Sequence, residues 1–142
     1  TIIGDGSERE KVEVQAKKII FTGISFEGFQ SPLEYYKRAS LLILTSEYEG
    51  FPLVLAEAMS FGVIPVVYGS YSAVYDIISD GVDGMILPII KRYDTEFATE
   101  KMKELNVWML INVIIWSQAA IITVKDNSVE SIVDSWNKLF SL

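Results

Sequence analysis

Two glutamates, Glu49 and Glu57, stand with seven residues between them in Thr45-Ser46-Glu47-Tyr48-Glu49-Gly50-Phe51-Pro52-Leu53-Val54-Leu55-Ala56-Glu57-Ala58-Met59. Chemistry here must use carboxylates, hydroxyls, amines and backbone, because the chain has no histidine and no cysteine. That excludes disulfides, thiolate metal sites and every Ser-His or Cys-His nucleophile pair. The segment leaves an apolar run, turns at Gly50 and enters a helix with Pro52 at its start. A helix N-terminus offers backbone N–H groups and partial positive charge, which together make an anion site suited to a diphosphate. No Lys or Arg lies between Arg38 and Lys91, whereas Glu47, Glu49, Glu57, Asp76, Asp80 and Asp83 all do. An anion bound there relies on backbone amides or on cations from elsewhere.

At ~1.5 Å per residue, Glu57 lies about 8 Å along the helix from Pro52, within reach of a ligand whose phosphates rest on that terminus. The helix over 52–61 is apolar on nearly every face, which predicts a buried, hydrogen-bonded Glu57. A ribose diol is a natural partner for it. Glu49 precedes the turn and reaches a different part of the same ligand. An alternative reading makes Glu49 a solvated loop residue and Glu57 a cap on the N–H groups of a neighbouring loop.

The elements that must position these residues alternate along the chain. Apolar runs at 1–3, 19–22, 41–44, 64–68 and 85–87 read as strands, and 7–18, 32–39, 52–61 and 73–79 as helices. Two or three further helices follow from 95, so 95–142 forms a helical C-terminal part. Such alternation is the pattern of an α/β domain, a parallel sheet covered on both faces. Leu41-Leu42-Ile43-Leu44, apolar throughout, predicts a strand buried on both sides. Ligands in such sheets bind at the carboxyl ends of strands, which singles out the loops 4–7, 23–31, 45–52 and 69–73.

Length and composition bound the possibilities further. The 142 residues fit one domain, and with 50% hydrophobic residues a core is available. Twelve basic against 19 acidic residues give a net charge of −7, which sets nucleic-acid binding aside. The stretch from Val107 to Ile122 is largely apolar, but Asn112, Ser117 and Gln118 interrupt it. Its 16 residues fall short of the ~20 a bilayer requires, so it reads as a helix buried within the domain or in the interface with a missing neighbour. The chain opens on Thr1-Ile2-Ile3-Gly4 without a basic leader or initiator methionine, as expected of a segment cut from a longer protein. Gly4-Asp5-Gly6 is too short for a dinucleotide fingerprint, because Arg9 holds the place of the third glycine.

The spacing of Glu49 and Glu57, with the letters around it, resembles the Glu-x7-Glu motif of the group 1 retaining glycosyltransferases. Ser46, Glu49-Gly50-Phe51, Glu57-Ala58-Met59, Gly62 with Pro65, Asp80-Gly81 and Gly84 match in order. Ile3-Gly4-Asp5-Gly6-Ser7-Glu8-Arg9, Phe21-Thr22-Gly23 and Tyr36-Arg38-Ala39 resemble the preceding elements, and Ser128 through Trp136 to Phe140 the closing helix. The resemblance implies a Rossmann-like parallel sheet, the C-terminal half of a GT-B fold lacking its first strand–helix unit. It makes residues 1–142 a donor-binding domain fragment of an enzyme that transfers a sugar from a UDP-, GDP- or similar nucleotide sugar, with retention and without a metal or other cofactor. Carried over residue by residue, Glu49 is the catalytic-site acid that contacts sugar hydroxyls, and Glu57 binds the nucleotide ribose. Gly50, Phe51, Pro52, Leu53 and Val54 cradle the sugar and diphosphate, Pro52 through its carbonyl and shape, and Gly23, Ile24 and Ser25 border the base.

The implied partners are the nucleotide sugar and an absent N-terminal, acceptor-binding domain. The implied location is the cytoplasm, with any membrane contact peripheral, at the inner face and through the missing domain. The sequence departs from the family pattern in three places. The cations that neutralise the diphosphate belong to the absent first strand–helix unit. Ser70-Tyr71-Ser72 and Asp76 replace the usual Gly-Gly pair and following Glu, and Phe26 to Gln30 is more aromatic than the usual loop. Two rival readings share the architecture: another GT-B nucleotide-sugar enzyme such as an epimerase, and a non-catalytic Rossmann-like binding domain.

Overall fold

In the computed structural model, residues 1–18, 23–88, 95–126 and 128–140 are described. The chain divides into two units, Thr1–Arg38 and Ala39–Leu142. The second carries the sheet. Its three apolar runs become β1 (Leu41–Leu44), β2 (Ile64–Tyr68) and β3 (Met85–Leu87), in spatial order β1-β2-β3. Both pairings are parallel, with Leu44 opposite Val67 and Tyr68 opposite Leu87. Helices α3 (Leu53–Ser60) and α4 (Ala73–Ile77) connect the strands, and α5 (Thr95–Asp126) and α6 (Val129–Phe140) follow. The expected α/β class and parallel sheet are therefore present.

Burial grades with position in the sheet. The central strand β2 is buried from Ile64 to Val67, while Ile43 in β1, at the edge of the sheet among the described residues, remains 54% exposed. The expectation of a β1 buried on both faces is corrected: Leu41, Leu42 and Leu44 pack against core clusters, while among the described residues the face that carries Ile43 is left open. The main core gathers Leu55 and Met59 of α3, Val67 of β2, Val74, Ile77 and Ile78 from α4 and its end, and Ala120 of α5. Helix α3 closes in a Schellman motif, with Val63 N–H donating to the Ala58 carbonyl and Gly62 N–H to the Met59 carbonyl. Gly62 sits at φ +74°, which its lack of a Cβ permits.

Pro65 enters the central strand near its start, where the absent N–H costs the ladder least. Gly84 is matched to it: a Cβ there would lie 2.7 Å from Pro65 Cγ and 2.8 Å from Ile78 Cγ2. The turn before β3 is held by two acids. Asp80 Oδ1 accepts the Ile86 N–H at 2.8 Å. Asp83, 1% exposed, accepts the Ser79 N–H at 2.8 Å and the Thr123 hydroxyl of α5 at 2.6 Å.

Helix α5 contains the stretch expected to be a buried helix. It is helical, but Ile114, Ile115 and Ile122 are 70, 62 and 57% exposed while Ala120 is buried. Burial within this chain does not extend to these three residues, and the second expectation, cover by a neighbouring domain, lies beyond this structure. The side chains of 105–112 lie outside the described residues. Among the described residues no helix is long and apolar enough to cross a membrane.

In the first unit, α1 (Arg9–Lys18) and α2 (Leu33–Tyr36) are the regular elements. The expected strand at 1–3 is reduced to a single parallel bridge between Ile2 and Phe26, with Ile2 N–H donating to Ser25 and Glu27 N–H to Ile2. The strand expected at 19–22 lies outside the described residues. Arg9, at the would-be fingerprint glycine, pairs with Asp5 at 3.1 Å and Glu13 at 2.8 Å.

Candidate functional site

Parallel pairing of Leu44 with Val67 sends two loops out of the same carboxyl edge of the sheet. Ser70 Oγ donates to the Ser46 carbonyl at 2.7 Å and ties the β2–α4 loop to the β1–α3 loop. Two of the four loops expected to form a site, 45–52 and 69–73, are thereby joined. The chain then turns through Gly50 and Phe51 into α3. Pro52 is buried, and its ψ of 84° lies outside the helical range, so the helix begins at Leu53. The turn uses two of its own amides: Leu53 N–H donates to the Phe51 carbonyl and Leu55 N–H to the Pro52 carbonyl, both at 2.9 Å. The Gly50, Phe51 and Val54 amides have no backbone acceptor among the described residues. Backbone N–H groups left over at a helix start are the kind of donor an anion site uses.

Around this turn the surface is unusually apolar. Tyr48 is 82%, Phe51 59% and Leu53 66% exposed, while Glu49 between them is half-buried. Clustered exposed aromatics beside an acid mark a contact surface more often than scattered single residues do.

Glu57 corrects the burial argument. It is exposed rather than buried. Helical spacing explains the difference: Leu55, Ala58 and Met59 take the core-facing side, whereas Leu53, Glu57 and Ser60 share the open one. The apolar Leu53 and Phe61 on the open side made the helix read as buried all round. Glu57 therefore needs no buried partner to be tolerated, and its carboxylate is reachable by a ligand on the same face.

Tyr71 is the site residue whose role the sequence left unassigned. Its ring packs against the main core, and its hydroxyl is shielded from solvent with no hydrogen-bond partner among the described residues. An unmet buried hydroxyl costs on the order of 1–3 kcal/mol. Burial pushes the phenol's pKa up, and the negative charge of Glu49 adds to the rise. The hydroxyl thus stays protonated and able to donate. The signal available beforehand was an aromatic residue where the resembled family carries a glycine.

Gly23, Ile24 and Ser25 belong to the first unit, where the Ser25 carbonyl accepts from Ile2 and its hydroxyl donates to Thr1 Oγ1 at 3.0 Å. Among the described residues no group of three or more Asp or Glu is arranged to hold a metal ion.

Comparison with known proteins fits this architecture. The family model for glycosyl transferases group 1 matches residues 1–105. The lipopolysaccharide 1,6-galactosyltransferase of Salmonella typhimurium is 35% identical over 89 residues, covering 58% of this chain and 25% of that protein. The solved apo form of the lipopolysaccharide outer core galactosyltransferase WaaB superposes with a TM-score of 0.71 at 27% identity, covering 99% of this chain and 40% of that one. The GtfA/B complex structure gives 0.80 at 22% identity, covering 99% of this chain and 28% of that one, a likeness of fold. The chain thus spans about a quarter of the length of the curated relative it matches. The family model covers well over half of the chain, and on that footing the chain belongs to the glycosyl transferases group 1 family.

Proposed function

We propose that this chain is the donor-binding domain of a glycosyltransferase, one that moves a sugar from a nucleoside-diphosphate sugar to a glycan, lipid or other acceptor with retention. The observation that carries the reading is the carboxyl-edge turn of β1–α3. It sets half-buried Glu49, the Phe51 and Val54 amides and the open Glu57 face along one short path. In that reading Glu49 meets the sugar hydroxyls, the turn meets the sugar and diphosphate, and Glu57 meets the ribose. The galactosyltransferases among its relatives support a hexosyl donor.

The chemistry is a front-face displacement that calls for no metal or other cofactor. The bond from the anomeric carbon to the diphosphate breaks, and the bond to the acceptor oxygen forms on the same face. The acceptor's proton passes to a leaving-phosphate oxygen. Backbone N–H groups stabilise the charge that develops on the diphosphate. Holding donor and acceptor together accounts for a large share of the barrier reduction, and the acceptor belongs to an N-terminal domain beyond this chain. The isolated 142 residues are accordingly expected to bind nucleotide weakly and to transfer nothing. The enzyme works in the cytoplasm, and any membrane contact is peripheral, through the N-terminal domain.

Calorimetry with UDP-, GDP- and ADP-sugars, with NAD as the contrasting ligand, tests the reading. One sugar-nucleotide class should bind and NAD should not. Glu57→Gln should weaken that binding by about 1–3 kcal/mol if the carboxylate accepts ribose hydrogen bonds. Unchanged affinity in a folded variant would remove Glu57 from the site.

A further inference from the structure

Tyr71 and Glu49 sit on two loops that leave adjacent parallel strands and are pinned together one residue before Tyr71 and three before Glu49, by the bond from Ser70 Oγ to the Ser46 carbonyl. Three residues of extended chain span at most about 10 Å, so both side chains work within one small region of the sheet edge. The Tyr71 ring is held by the core around Leu55, Met59 and Val74, so its hydroxyl has little freedom to seek a partner elsewhere. Among the described residues that hydroxyl is a shielded donor without an acceptor. Near enough for its charge to act on the phenol is Glu49, a half-buried carboxylate on a turn that contains Gly50.

We propose that Tyr71 is a positioning residue for Glu49: with a donor bound, its hydroxyl donates to the Glu49 carboxylate and holds that acid toward the sugar. The inference rests on the donor-site reading above. The turn between Ser46 and Pro52 settles onto the sugar nucleotide, Glu49 swings to complete the unmet phenol, and its second oxygen is left for a sugar hydroxyl. The burial that raises the phenol's pKa keeps the proton on the donor at neutral pH. A charged acceptor makes this a stronger bond than a neutral pair. Sensing the sugar through Tyr71 and Glu49 is separate from holding the nucleotide on α3, so the two are separable by substitution.

The test uses the full-length protein with Tyr71→Phe, which deletes the hydroxyl and retains the ring's packing. Calorimetry with UDP-glucose, UDP-galactose, GDP-mannose and ADP-glucose, each beside its free nucleoside diphosphate, reads the two contributions apart. Tyr71→Phe should bind the preferred sugar nucleotide about tenfold more weakly and its nucleoside diphosphate as the wild type does. In a Glu49→Gln background, adding Tyr71→Phe should change sugar-nucleotide affinity less than twofold. Thermal melting without ligand should match or exceed the wild type, because the lost hydroxyl had no partner. Wild-type affinity of Tyr71→Phe for the sugar nucleotide would overturn the positioning role alone. A wild type that binds none of the probes would overturn the donor-site reading and this inference with it.

Discussion

Glu49→Gln in the full-length enzyme is expected to lower kcat by about 10²–10³, the scale of removing one preorganised electrostatic contact from a transition state. The half-buried Glu49 carboxylate precedes the turn into α3, apart from the Glu57 face further along that helix. Glutamine keeps the shape and hydrogen-bonding reach but loses the charge. The sugar gains positive character as the diphosphate departs, so a neutral amide serves the transition state less well than a carboxylate does. Affinity for the free nucleoside diphosphate should stay within twofold, because that ligand makes no use of Glu49. Steady-state kinetics beside calorimetry on the same preparation separates the effects. A variant with wild-type kcat would move the sugar contact to another residue.

Asp83→Ala is expected to lower the unfolding free energy by about 2–4 kcal/mol, among the larger losses for one side chain. The carboxylate is 1% exposed and accepts from two elements, the Ser79 N–H that ends the α4 region and the Thr123 hydroxyl of α5. Alanine removes both acceptors at once and leaves a small void beneath the turn into β3. Asp83→Asn, which keeps the volume and one acceptor, should cost about half as much. Urea denaturation with an unchanged m-value would place the loss in the native state. A loss below 0.5 kcal/mol on the alanine change would mean that solvent replaces both bonds, as it does for exposed pairs.

The residues that read correctly from sequence are those whose surroundings are set by nearby chain. The three strands fall where apolar runs of four, five and three residues are bounded by turn formers, and α3 stops at Gly62, as a Schellman glycine requires. Glu57 was misread because the sequence shows which helix positions are apolar but not which side the sheet covers. Leu53 and Phe61 remain exposed on the open side and disguise it. The exposure of Ile43 has the same origin, since an apolar run does not show which of its two faces will be covered. Asp83 carries no local sign of burial, because one of its partners is 40 residues away on α5. Tyr71 was visible as a departure from a glycine pattern, but its unmet hydroxyl follows from how its ring packs against the core.

The central claim is that the Glu49–Glu57 turn at the carboxyl edge of the sheet holds the donor. Amide hydrogen exchange on the full-length protein, with and without a saturating sugar nucleotide shown to bind by calorimetry, addresses it directly. Peptides covering 45–57 should gain protection, with the Phe51 and Val54 amides slowed most, and those covering 69–72 should follow through the Ser70–Ser46 bond. Peptides from α6 should exchange at the same rate in both states. Ligand bound in full with no added protection across 45–57 would contradict the assignment of this edge as the donor site.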